Sequence, residues 1–156
     1  MKLGLWISAM AVVLASGTAI AQDGTLVVTP DQVKWGPAPG LPDGWQAAVL
    51  IGDPAKEGPY VERVKLPPNA MVPPHTHPDI ESITVISGAF GIGQGKVADK
   101  SKGQVLAAGS FYHLPADTAH FAWAGPDGAI VQVHGIGPFA INYVNPADDP
   151  AKGGRK

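Results

Sequence analysis

Pro73-Pro74-His75-Thr76-His77-Pro78-Asp79-Ile80-Glu81-Ser82-Ile83-Thr84-Val85-Ile86-Ser87-Gly88 decides how the chain is read. The protein has five histidines, and two of them fall here with a glutamate, just ahead of an apolar run that ends on glycine. Prolines on both sides of the histidines disfavour helix and hold the backbone extended. Side chains two apart on an extended strand share a face, so His75 and His77 point the same way. Glu81 has the same odd parity and leads into Ile83 and Val85, which makes that face the inward one. Two imidazoles and a carboxylate thereby converge. The plain alternative for an H-x-H pair is two surface histidines in a turn; the glutamate and the glycine-terminated strand argue against it.

Such a donor set suits a transition metal, because neutral imidazole fits Zn, Cu, Fe or Ni and an added carboxylate is acceptable to Mn and Fe. The chain has no cysteine, which removes thiolate as a ligand and excludes disulfides. A closed structural site and an open, reactive one are both compatible with the spacing.

Outward from this stretch, 156 residues suit a single domain. Glycine (20) and proline (16) are scattered and leave little room for uninterrupted helix. Strand-like runs bounded by turn residues fall at 46–51, 60–66, 80–86, 89–92, 104–106, 110–114, 120–124, 130–134 and 139–144. The expected fold class is all-β, a double-sheet sandwich or barrel with jelly-roll topology.

The first residues read differently. Lys2 precedes the apolar stretch Leu3 to Ala15, and small residues end in Ala19-Ile20-Ala21. Residues 1–21 are therefore expected to be a secretory signal peptide cleaved after Ala21, giving a periplasmic or secreted protein. An uncleaved anchor is the rival, weakened by Ser8, Ser16, Gly17 and Thr18, so no stable membrane insertion is expected. Residues 22–59 form an N-terminal lead-in, 60–150 the barrel and 151–156 a flexible basic tail. The net charge is −2 and no basic stripe is present, which argues against nucleic acid as a partner.

His75-x-His77-x3-Glu81-x6-Gly88 resembles the first motif of the cupin superfamily, H-x-H-x3-E-x6-G. Gly109-x5-Pro115-x-Asp117-x2-His120 resembles its second motif, G-x5-P-x-G-x2-H-x3-N. Asn69 and Asp117 replace glycines of the pattern, and Ala124 replaces its final asparagine; Asn and Asp tolerate left-handed turns, so the turns are expected to survive. The phrases W-G-P-A-P-G, Q-V-H-G and Y-V-N-P-A-D-D-P are also similar to those of small exported bacterial cupins. The resemblance implies a cupin-type double-stranded β-helix, with His120 joining His75, His77 and Glu81 as fourth ligand from a facing strand. It implies one divalent transition metal, Mn, Fe or Zn. Among family members such centres serve dioxygenases, lyases, decarboxylases, isomerases and ligand-binding sensors, so the expectation is a metalloenzyme acting on a small organic molecule. The alternative is a small-molecule binding or sensing protein without turnover.

Further candidates follow from alternation. Gln132 and His134 share one face of their strand and Val131 and Val133 the other, so the polar face is a candidate pocket wall; hydrogen-bonded structural groups are the alternative. Arg63 could hold an anionic substrate or face solvent beside Lys65. Gln132, His134 and Arg63 are accordingly the candidate substrate-handling residues, and Ile83 and Val85 the candidate apolar walls. His113 is expected at the surface or behind a ligand. Phe121 and Trp123, opposite in parity to His120, are expected to pack on the lead-in or on a second subunit. Gly91 to Lys96 reads as a hairpin connection. With Glu81 assigned to metal only Glu57 and Glu62 remain, which gives a carboxylate-pair glycosidase little support. Exposed sheet edges make a homodimer an expectation as well.

Overall fold

A computed structural model describes residues 24–152. The signal peptide expected at 1–21 and the last four residues of the tail lie outside the described residues. Among these residues no helix is long and apolar enough to cross a membrane.

Among the described residues nine strands pair in antiparallel fashion: β1 (Gly36–Pro37), β2 (Gln46–Ile51), β3 (Gly58–Leu66), β4 (Met71–Thr76), β5 (Glu81–Gln94), β6 (Gln104–Ala107), β7 (Phe111–Leu114), β8 (His120–Gly137) and β9 (Asn142–Tyr143). The fold is all-β, as expected, and the described residues outside the strands form only short 3-10 turns and loops. Its organising feature is that β5 and β8 are long and run through both leaves of a curled sheet. Residues 81–88 of β5 pair with 129–135 of β8, whose other edge carries β3, β2 and β1 in turn. Residues 90–94 of β5 pair with 120–124 of β8, whose other edge carries β4 and then β9. The barrel closes where the two leaves share these strands.

Each long strand was expected as two shorter ones. The reason for the fusion lies at Gly88 and Gly125 to Gly128, where the ladder changes register without ending. Gly88 has φ 76° and a Cβ there would lie 2.2 Å from the carbonyl oxygen of Gly128, so this crossing tolerates only glycine. Left-handed backbone at Asn69 and Asp117 (φ 58° at each) confirms that these residues take over the turn positions that glycine holds in the family pattern.

Alternation builds the core. Tyr60, Val64 and Leu66 of β3 meet Ile83 and Val85 of β5 and Val131 and Val133 of β8, all buried. Each such side chain contributes about 1.5–3 kcal/mol by leaving water. The lead-in is bound more intimately than by wrapping, since β2 is hydrogen-bonded along β3 and Trp45 joins the core.

Phe121 and Trp123 leave the ligand face, and within the chain they are buried against the neighbouring strand. They stack on each other, centroids 5.7 Å apart, over Gly91 and Gly93 of the adjacent β5. A Cβ at Gly91 would lie 1.9 Å from Trp123 and one at Gly93 2.2 Å from Phe121. The run from Gly91 is therefore mostly strand rather than hairpin, and its glycines make room for aromatic rings.

Candidate metal centre

β4 carries His75, and the chain leaves that strand just before His77. His75 pairs directly with His120, the first residue of β8. His120 therefore comes from the neighbouring strand of the same leaf rather than from a facing one. The group reaching across from the other leaf is Glu81, the first residue of β5. All four residues are buried, His120 to 2% exposure and Glu81 to 9%.

Ring orientation is fixed from behind. Nδ1 of His75 lies 2.7 Å from the Pro73 carbonyl, Nδ1 of His77 2.8 Å from that of Ala140, and Nδ1 of His120 2.9 Å from that of Thr118. A carbonyl only accepts, so each Nδ1 is the protonated nitrogen and each Nε2 keeps its lone pair. His75, His77 and His120 can thus offer ligand atoms that all lie within 4.8 Å of one another. Outer carbonyls that orient ligating imidazoles are the usual support of a metal site.

Glu81 makes the case for a cation stronger. Its two carboxylate oxygens lie 3.4 Å from Nε2 of His77 and 3.4 Å from Nε2 of His120. Those distances are long for hydrogen bonds, and Nε2 of His77 is buried without a hydrogen-bond partner among the described residues. Lone pairs facing lone pairs need a positive charge between them. Burial by itself would raise Glu81, but the hydrogen bond with His120 and the charges of His77, His120 and His75 outweigh it and hold the carboxyl below its ordinary range. Burial, then the charges of His120 and His77, pulls His75 from 6.5 down to about 3. Burial also lowers His77 against the opposing pull of Glu81. Imidazoles that stay neutral are ready ligands. The three histidines form a group that can hold a metal ion, and the carboxylate beside them fits as a further donor.

The centre opens onto a cavity of about 560 Å³ whose wall includes His75 and His77. Its other sides come from Pro37 to Leu41 of the lead-in, from Val49, Val64 and Val133 on the strands, and from Phe139 to Ile141 with Tyr143. The segment 139–144 was expected as a strand, yet only Asn142–Tyr143 is one. The remainder closes the cavity: Phe139 stacks on His77 at 5.0 Å, and the Tyr143 hydroxyl donates to the Gly40 carbonyl at 2.9 Å, tying this segment to the lead-in.

Gln132, His134 and Arg63 are brought together but in the wrong place for the expected role. Arg63 Nε donates to Gln132 Oε1 at 3.3 Å, and Gln132 Nε2 lies 3.1 Å from His134 Nε2. The chain of contacts runs across the outer face of the sheet, with His134 exposed, while Val133, opposite in parity, lines the cavity. The polar face of this strand is its solvent face, as in most one-sided sheets. His113 is likewise exposed, 2.9 Å from Ser82 Oγ. Ile83 and Val85 are core residues and do not line the cavity.

Sequence reasoning missed Glu62. It alternates with Tyr60, Val64 and Leu66 on the inward face of β3, is only 8% exposed and lines the cavity. Burial and, after it, the Glu81 charge push its carboxyl up. The same alternation that marked Tyr60 and Val64 as inward would have found it.

Fold and site together define a cupin with a three-histidine group able to bind metal. Residues 23–140 match the family described as the ChrR Cupin-like domain, and the chain belongs to that family. No curated protein matches the chain. Among solved structures it is similar to the polyketide cyclase RemF from Streptomyces resistomycificus, at 21% identity and TM-score 0.65, covering 81% of this chain and 89% of that one. It is also similar to an RmlC-like cupin from Shewanella frigidimarina, at 17% identity and TM-score 0.56, covering 71% and 90%. A chain of the Rhodobacter sphaeroides complex of SigE with the anti-sigma ChrR matches at 20% identity and TM-score 0.52, covering 68% of this chain and 51% of that one. At these identities the likeness shows the shared fold.

Proposed function

We propose that the protein is an exported metalloenzyme in which His75, His77, Glu81 and His120 hold one Mn, Fe or Zn ion and a small organic molecule is transformed beside it. The carrying observation is that His75 and His77 form part of the wall of a 560 Å³ cavity. That volume lies within the roughly 300–1,000 Å³ typical of small-molecule sites. A bound divalent metal would supply Lewis acidity or a seat for dioxygen at the cavity floor. The chain's own contribution is an apolar wall, from Val49, Val64, Val133 and Phe139, that limits water around a ligand. Reaction types compatible with this arrangement are oxygenation, lyase, decarboxylase and isomerase chemistry. The test is a screen of Mn-, Fe- and Zn-loaded protein against small diketones, phenols, keto acids and sugars, following oxygen uptake and product mass. Turnover that disappears in the Glu81→Ala variant supports the reading.

One observation favours a second reading, a metal-dependent binding or sensing protein without turnover: membership of a family described by ChrR, which in the solved complex is an anti-sigma bound to SigE. A compound that raises the melting temperature and emerges unchanged from every metal form would favour it. Export rests on the leader at 1–21, and N-terminal sequencing of the processed protein should begin at Gln22. Self-association into a homodimer is proposed from the open sheet edges, and light scattering that gives only the monomer mass rejects it.

A further inference from the structure

Charge in the cavity wall is one-sided. Its acidic side chains are Asp53, Glu62 and Asp149, and among the described residues no lysine or arginine lines it. Two of the three acids already have partners: Asp53 pairs with Lys56 at 2.8 Å and accepts from the Ala55 amide, and Asp149 pairs with Lys152 at 3.4 Å and accepts from the Ala151 amide. Glu62 has neither a hydrogen bond nor an ion pair among the described residues, although it is 8% exposed. Its strand register sets it between Val49 of β2 and Val133 of β8, both of which line the cavity. A carboxylate set in an apolar wall loses part of its hydration and is compensated by a donor in the cavity, water or ligand.

Resting on the reading of this cavity as the ligand site, we propose that Glu62 sets its selectivity: the cavity takes a neutral or cationic, largely apolar molecule that presents a hydroxyl or amine to Glu62. Carboxylate ligands are disfavoured because they would bring a second negative charge against Glu62, with no lysine or arginine among the described residues of the wall to receive it. Arg63, the candidate anion contact, instead donates to Gln132 on the outer face.

The experiment uses three probes of one shape, benzylammonium, benzyl alcohol and benzoate, titrated calorimetrically into zinc-loaded protein and into its Glu62→Gln and Glu62→Asp variants. Zinc attracts benzoate in every form, so the readout is the change in relative affinity. Glu62→Gln should shift the benzylammonium-to-benzoate ratio toward benzoate by about tenfold or more, the size expected for loss of a charge-assisted hydrogen bond in a partly desolvated site. Benzyl alcohol should weaken less, and Glu62→Asp should retain the wild-type ordering. A ratio unchanged within about twofold in Glu62→Gln, at equal metal content and melting temperature, overturns the proposal. So does a wild-type protein that binds none of the three. Metal content measured on the same samples separates the two readings: protein that takes up no zinc refutes the metal centre, while the charge selectivity is still read from the metal-free titration.

Discussion

Lowering the pH of the metal-free protein from 7 to 5 should destabilise it by about 2 kcal/mol, and the sign follows from His75. In the unfolded chain its imidazole takes a proton below about 6.5. In the fold, at 4% exposure and beside two other imidazoles, it resists protonation down to about 3. Below 6.5 the unfolded state therefore binds the extra proton, and stability falls as pH falls, by about 1.4 kcal/mol per unit. From 6.5 to 5 this amounts to about 2 kcal/mol. His77 is shifted in the same direction and adds to the loss. Glu81 is held low, so it is ionised in both states across this window; its contribution disappears only at more acid pH. Glu62 is raised and works the other way, since it takes up its proton in the folded state first and offsets part of the loss. Urea unfolding of chelator-treated protein at the two pH values gives the difference directly. A His75→Leu variant should lose most of the pH slope. Equal stability of the metal-free protein at pH 5 and 7, or an unchanged slope in that variant, would refute the reasoning.

Protein made without an affinity tag should carry about one equivalent of divalent metal, and metal at about a hundredfold excess over its Kd should add about 2.7 kcal/mol of stability. Retention of full metal by the His75→Ala/His120→Ala variant would sink the ligand assignment. Gly93→Ala sets a methyl 2.2 Å from Phe121; it should cost about 1–3 kcal/mol through forced repacking, read as a lowered melting temperature. Gln132→Ala and His134→Ala alter only the outer face of the sheet, so metal content and probe binding should stay at wild-type levels; a loss of either would show that this face communicates with the centre.

What the sequence determined by itself is whatever depends on near neighbours along the chain. The prolines around His75 and His77 mark extended backbone that turns both imidazoles the same way, because strand alternation is a local property, whereas Glu81, at the start of β5, meets them only through the pairing of the leaves. Asn69 and Asp117 signal their turns through tolerance of left-handed backbone. Parity also sent Phe121 and Trp123 away from His120. Tertiary structure decided which face of each strand meets which layer. Gln132 and His134 were legible as a polar face, yet whether that face lines a cavity or meets water depends on how β8 bends past Gly125 to Gly128 and on which strands flank it. The same non-local geometry pairs His75 with His120 in one leaf and folds 139–144 over His77 as a wall. It also leaves Glu62 facing the cavity between Val49 and Val133. A cavity is the space between elements distant in sequence, so its lining and its charge are set only when the leaves close.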